Sequence, residues 1–218
     1  MSVCHGGDDA LFAVAVSDTL QTMSLQGIFY LLLKEGQTMK HVGTRTIETE
    51  RLILRRFSVS DAPQMFKNWA CDQNVTRYLT WPPHESQEFT ARLLSDWVKQ
   101  YAEPDNYQWC IELKASSQAI GSISVVKLYE NIDAVEIGYC IGAAYWGRGI
   151  MTEALGAVIQ FFFQKVGAHR IQAKHDAENP ASGRVMQKCG MKFEGKCLHA
   201  DKNQRGICDI CIYGLVKK

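Results

Sequence analysis

Apolar residues along this chain return at two spacings, every second position over short runs and every third or fourth over longer ones, and each spacing predicts an element. Residues 51–57 are apolar in the middle and charged at both ends, which predicts a strand. Ser60-Asp61-Ala62-Pro63 offers a capping side chain and an early proline, opening a helix that runs to about Ala70. Trp81-Pro82-Pro83 reads as a loop. Ser86 then caps a second helix, with Phe89, Leu93, Leu94 and Trp97 at core spacing, and Pro104-Asp105-Asn106 ends it. Residues 107–114 and 119–129 predict a hairpin through the polar turn 115–118, with Tyr107 and Trp109 directed into the core, and 134–141 adds a further strand. Ile150, Ala154, Val158, Phe162 and Val166 mark one face of a helix, broadened by Leu155, Ile159 and Phe163, and a sheet must cover so apolar an element. A short strand follows at 170–174. Asn179-Pro180 opens another helix, Asn as cap and Pro at the first position, and Cys189-Gly190 closes it. Residues 191–194 and 207–216 finish the chain as strands around a loop that holds Asp201 and Arg205.

This order of strands and helices is mixed α/β, and the crossover at 149–167 predicts at least one parallel contact. Residues 1–38 follow neither spacing. Two readings of them stay open. Lys34-Glu35-Gly36 can be encoded by a purine-rich stretch that contains a bacterial ribosome-binding sequence, which makes Met39 a translation start and 1–38 a translated leader. Alternatively they are a genuine extension, with a short helix near 25–34 packing on the domain or on a partner. Either way one domain is expected over 39–218.

A hydrophobic share of 46% in 218 residues is enough for a real core. The net charge of +1 makes no case for nucleic acid or a membrane surface, and no run reaches the roughly 18 apolar residues of a membrane span. Residues 1–20 carry Asp8, Asp9 and Asp18 but neither Lys nor Arg, a poor secretory signal. Of the 8 cysteines, Cys208 and Cys211 form a lone CxxC on a strand-like run, where residues three apart face opposite ways. No metal site is expected, and free thiols fit a reducing cytoplasm. His169, His175 and His199 are scattered and read as surface or core histidines.

The segment 136–163 changes the picture, because it reads as strand, glycine turn and apolar helix. The turn Trp146-Gly147-Arg148-Gly149-Ile150-Met151 precedes a helix whose first N–H groups have no intrahelical acceptor and whose dipole is positive there. Glycines let backbone approach an anion closely, so the turn predicts a phosphate-bearing ligand.

Several runs, in order, resemble one family. They are Thr49-Glu50-Arg51-Leu52-Ile53-Leu54-Arg55, Ile120-Gly121-Ser122-Ile123, Glu136-Ile137-Gly138-Tyr139, the turn extended through Thr152-Glu153-Ala154, Asn179-Pro180-Ala181-Ser182, and Lys188-Cys189-Gly190-Met191. From about residue 46 to 217 the chain resembles the GNAT acetyltransferase superfamily, and within it is most similar to the ribosomal-protein N-terminal (alanine or serine) acetyltransferases. The resemblance implies a mixed, mostly antiparallel twisted sheet of about seven strands, with a splayed central pair and about four helices on both faces. It implies acetyl-CoA as donor, no metal, and direct transfer to a primary amine. The pantetheine arm would pair with backbone at Cys140, Ile141 and Gly142, and the pyrophosphate would sit on N–H groups of Trp146, Gly147, Arg148, Gly149, Ile150 and Met151. Trp146 and Met151 depart from the family pattern at the first and last positions of the turn.

The resemblance also gives Asn179 a hydrogen bond to pantetheine, beside its local role as helix cap, and places the Ser182 hydroxyl where it can protonate the thiolate. Glu136 is one candidate base, or else a structural carboxylate, and Asp201 is the second, acting through water. The Ile141 N–H would polarise the thioester. Tyr78 and Trp81 would border the acceptor cleft, with Tyr129 and Asn131 opposite, unless these aromatics serve packing. The acceptor is a protein N-terminus, such as that of a ribosomal protein, or a small amine: a polyamine, an antibiotic or an amino-acid derivative. An acidic cleft would favour a polyamine and an open groove a peptide. A non-catalytic acyl-CoA sensor is the reading from another class, and the presence of Glu136, Asp201 and Ser182 speaks against it. A monomer or homodimer in the cytoplasm, contacting neither nucleic acid nor membrane, completes the expectation.

Overall fold

The computed structural model describes residues 39–218, so both readings of residues 1–38 lie outside the described residues. Its strands are β1 (Ile47–Glu48), β2 (Leu52–Arg55), β3 (Gln108–Leu113), β4 (Gln118–Tyr129), β5 (Ala134–Ile141), β6 (Arg170–Asp176), β7 (Lys192–Asn203) and β8 (Gly206–Val216). The helices are α1 (Ala62–Met65), α2 (Gln73–Thr76), α3 (Gln87–Gln100), α4 (Ile150–Phe161) and α5 (Pro180–Lys188), with single π turns continuing α1 over Phe66–Ala70 and α4 over Phe162–Val166. The strands make one 8-stranded sheet in the order β1-β2-β3-β4-β5-β6-β8-β7.

Alternation along the strands divides the core between the two faces. Leu52, Leu54, Trp109, Ile111, Val135 and Ile137 turn to the face covered by α4, whose Ala154, Leu155, Val158 and Phe162 are fully buried there. Phe161 and Phe162 meet Tyr107 and Trp109 edge-on at ring distances of 4.8 to 6.2 Å. On the other face Phe57, Met65, Trp69 and Leu94 from the α1–α3 region cover Cys110 and Ala119. Each fully buried large apolar side chain contributes roughly 1.5–3 kcal/mol, so both layers are firmly attached to the sheet.

Every neighbouring pair of strands is antiparallel except β5 and β6. Those two run parallel and pair only at Ala134↔Arg170, Val135↔Ile171 and Glu136↔Gln172. Beyond Glu136, β5 stays on β4 as far as Ile141, whereas β6 follows β8 as far as Asp176. A gap therefore opens in mid-sheet, the splayed pair the resemblance implied.

Three local readings are corrected. Residues 191–194 do not give way to a loop: β7 continues to Asn203, which puts Asp201 on a strand opposite Cys208. The alternation that would have revealed it is lost, because β7 is an exposed edge strand and its register shifts between Cys197 and Asp201. His199 takes φ 49° in this bulge and its N–H donates to Asp209 at 2.9 Å. Ser58, not Ser60, caps the first helical segment, in a capping box with Asp61. The short helix α2, capped by Asp72, was not anticipated.

Candidate active site

The gap and the glycine turn are consecutive pieces of chain. After β5 come Gly142, a 3-10 turn over Ala143–Tyr145, and then Trp146 in extended conformation. Gly147 has φ 73° and Gly149 φ 72°, a left-handed conformation that a Cβ disfavours. Left-handed backbone on either side of Arg148 allows successive N–H groups to turn the same way just ahead of α4, the kind of concavity that suits anions. Trp146, Gly147, Arg148 and Gly149 are exposed, whereas the Ile150 and Met151 side chains are buried in the core. Those two can thus offer a ligand only their N–H groups, and the bulk of Met151 points away from the turn.

Strand phase decides which backbone groups face the gap. The Gly142 N–H donates to the Ile120 carbonyl at 2.9 Å, and Cys140 lies directly opposite Ser122 on β4. In an antiparallel ladder alternate residues point opposite ways, so Tyr139 and Ile141 face the gap while Cys140 and Gly142 are committed to β4. This corrects the expectation that all of Cys140, Ile141 and Gly142 offer backbone there. The Ile141 carbonyl already accepts the Trp146 indole N–H at 2.9 Å. Gly142 matters for space instead. A Cβ there would collide with the Asn68 carbonyl oxygen and lie 3.3 Å from its carbon. Gly142→Ala is expected to cost about 1–3 kcal/mol by overpacking, read as a lower urea midpoint at unchanged slope.

A cavity of about 840 Å³ lies along the gap, bounded by strand residues on one side and by segment 78–85 on the other. Its lining brings together Glu136, Cys140, Asn179, Ser182 and Asp201, and also Tyr78, Trp81 and Tyr129. Asn131 is not part of it: it sits exposed in the 3-10 turn Glu130–Ile132.

Glu136 is buried at the fork where the strands part. Its Oε2 accepts the Tyr129 hydroxyl at 3.0 Å and the Gln172 amide at 2.9 Å. Its Oε1 lies 3.6 Å from Lys174 Nζ, which also bonds Asp201 Oδ2 at 3.0 Å. One ammonium thus bridges both candidate bases. Burial pushes the Asp201 carboxyl up, but the Lys174 ammonium and the Lys202 N–H outweigh it and hold the group below the usual carboxylate range. For Lys174 burial acts downward, and its carboxylate neighbours reverse that and keep it cationic.

Lys174 was absent from the sequence reading, although a signal for it existed. In β6, Ile171 and Ala173 are buried in the core, so Arg170, Gln172 and Lys174 share the opposite face, and Gln172 pairs with Glu136. Tyr139 was also missed. Ser182 Oγ–H donates to the Tyr139 hydroxyl at 3.0 Å, and that hydroxyl donates to the Ser182 carbonyl at 3.0 Å. Burial raises the Tyr139 phenol well above its ordinary value, so it stays protonated. Asn179 occupies the cap position of α5 without a side-chain capping bond, which leaves its amide for the cavity. Among the described residues, no cluster of three or more His, Cys, Asp or Glu could hold a metal. No described helix is long and apolar enough to cross a membrane.

Known proteins resemble this chain. A family model described as an acetyltransferase (GNAT) domain matches residues 51–192. The chain is 33% identical over 172 residues to the uncharacterised N-acetyltransferase YoaA of Bacillus subtilis, covering 78% of this chain and 96% of that one. It is 26% identical over 139 residues to the ribosomal-protein-serine acetyltransferase of Escherichia coli, covering 63% and 76% respectively. Among solved structures, the microcin C7 self-immunity acetyltransferase MccE, in complex with acetyl-CoA and AMP, aligns with a TM-score of 0.70 at 20% identity, over 83% of this chain and 99% of that one. That likeness is one of fold.

Proposed function

Since the chain belongs to the GNAT acetyltransferase family and is an N-acetyltransferase that uses acetyl-CoA, we propose that its acceptor carries a single ammonium, the α-amine of a protein N-terminus. The observation that supports this is the charge balance of the cavity. Glu136 and Asp201 share Lys174, which leaves one net negative charge at the fork. Asp176 is satisfied by the Asn203 amide at 2.6 Å, by the Glu178 N–H at 2.7 Å and by Arg205 at 3.6 Å. A polyamine needs several uncompensated carboxylates; these three are compensated from within, and the other charged residues of the lining, Glu85 against Lys127 and Lys202, add no net negative charge. The relative that acts on a ribosomal protein makes such an N-terminus the first acceptor to try.

In this reading the N–H groups of residues 147–151 take the pyrophosphate, the Asn179 amide bonds the pantetheine arm, and the Ile141 N–H polarises the thioester carbonyl. Glu136 accepts the proton of the acceptor ammonium, directly or through one water. The amine then attacks the carbonyl carbon, the C–S bond breaks, and the proton that the attacking nitrogen gives up passes through the Ser182 hydroxyl to the departing thiolate, so the serine ends neutral.

A second reading is favoured by the aromatic wall of Tyr78, Trp81, Phe89 and Trp97: a small amine with a planar ring. Thiol release from acetyl-CoA separates the acceptors. With the full chain, peptides beginning Ala or Ser are expected to turn over with kcat/KM at least about a hundredfold above spermidine, since an unmatched second ammonium in the cavity costs a few kcal/mol. A preference for spermidine would overturn the charge argument. Turnover of aromatic amines with none of the peptides would move the assignment to the second reading.

A further inference from the structure

The phosphate turn has a support that comes from the far end of the domain. Arg51, at the start of β2, reaches under the turn: its Nη1 donates to the Arg148 carbonyl at 2.9 Å, and its Nε bonds Glu153 Oε2 at 2.6 Å. The other Glu153 oxygen accepts the Arg51 N–H at 2.9 Å and the Thr49 hydroxyl at 2.6 Å. Thr49 Oγ1 in turn accepts the Leu52 N–H at 3.1 Å. A Cβ built on Gly149 would come 3.7 Å from Arg51 Nη2, so the guanidinium lies directly beneath the left-handed glycine.

Two physical consequences follow. First, a peptide carbonyl and the following N–H point in roughly opposite directions because the unit is planar. Anchoring the Arg148 carbonyl to Arg51 on the inner side therefore holds the Gly149 N–H outward, on the side open to an anion. Second, Glu153 stands in the first turn of α4, where a carboxylate suits the helix dipole but repels a bound phosphate. Although partial burial pushes this carboxyl up, the Thr49 hydroxyl and the Arg51 donors hold it ionised below its ordinary value. Arg51 cancels that charge at short range.

We propose that Arg51, braced by Glu153 and Thr49, is a positioning residue for the donor's pyrophosphate: it orients the turn and neutralises the carboxylate behind it without itself carrying out chemistry. This rests on the reading that the turn 147–151 binds the pyrophosphate.

The test compares acetyl-CoA with acetyl-pantetheine, which has the thioester arm but no phosphate. In the unmodified protein kcat/KM for acetyl-CoA is expected to exceed that for acetyl-pantetheine strongly, and equal values would overturn the underlying reading of the turn. Arg51→Ala is expected to raise KM for acetyl-CoA by about tenfold to a hundredfold, the range for losing charge-assisted hydrogen bonds. Its kcat should stay within about twofold and its activity with acetyl-pantetheine should not change. Arg51→Lys, which keeps charge but not the fork, should fall between. Adding Glu153→Gln to Arg51→Ala should recover part of the KM, because the exposed charge is then gone. An equal loss with both donors in Arg51→Ala and in Arg51→Lys would show general damage to the domain and overturn the positioning role.

Discussion

Gly149→Asp is expected to lower the affinity for CoA by about a thousandfold while leaving the fold intact. The position has φ 72°, and Asp tolerates the left-handed region better than most residues, so the backbone cost stays near 1 kcal/mol. Room is not limiting either, since the nearest atom to an added Cβ is Arg51 Nη2 at 3.7 Å. What changes is charge. A carboxylate there draws on Arg51, the guanidinium that holds the turn, and sets a negative charge beside the N–H donors that collect the phosphates. Two unit charges about 4 Å apart near a protein surface repel by about 4 kcal/mol, close to a thousandfold in binding. Gly149→Asn supplies the control, with the same shape and the same left-handed tolerance but no charge, and should stay within about tenfold of the unmodified protein. Calorimetric titration with CoA reads both. Equal, small losses in the two variants would mean that the phosphates bind elsewhere, and would take the pyrophosphate assignment of Gly147 and Gly149 with them.

How far the site could be read from the chain follows from what each residue depends on. The turn was legible because two glycines one residue apart, between an apolar strand and an apolar helix, have a local physical meaning. The apolar stripe from Ile150 to Val166 was legible for the same reason, and α4 with its π turn occupies that stretch. Gap-facing backbone was not legible. Whether Cys140 or Ile141 faces the opening depends on the phase of the ladder with β4, which is set by pairs such as Gly121↔Ile141 and shifted by a bulge near Val125. The bridge from Glu136 through Lys174 to Asp201 was further still from view. It needs the parallel register of β5 on β6 and the placement of β7 beyond β8, and the register shift after Cys197 puts Asp201, in place of His199, opposite Cys208. Arg51 shows the reverse case. Its run carries the family likeness, yet its physical reason, a clasp on Arg148 and Glu153, involves residues about a hundred positions away that no local pattern connects.

Of the two carboxylates, Glu136 carries the larger expected effect. Glu136→Gln should reduce kcat by about a hundredfold to ten-thousandfold, the range for removing a general base, with KM for acetyl-CoA nearly unchanged because the phosphate turn is untouched. Glutamine keeps the side-chain length and can still accept the Tyr129 and Gln172 hydrogen bonds, so a loss of that size reports on proton transfer and not on packing. Asp201→Asn should cost less than about tenfold. The Lys174 ammonium 3.0 Å away holds the Asp201 carboxyl below its ordinary range. A base of lowered pKa takes a proton from an ammonium less readily. Position points the same way. Glu136 is the last residue of β5 paired to β6, so its carboxylate stands where the gap begins, whereas Asp201 comes from the hairpin beyond β8. Steady-state kinetics over a range of pH, with a saturating acceptor, separate the two variants. A larger fall in kcat for Asp201→Asn than for Glu136→Gln would reverse the assignment, making Asp201 the base and Glu136 the carboxylate that holds Lys174 in place.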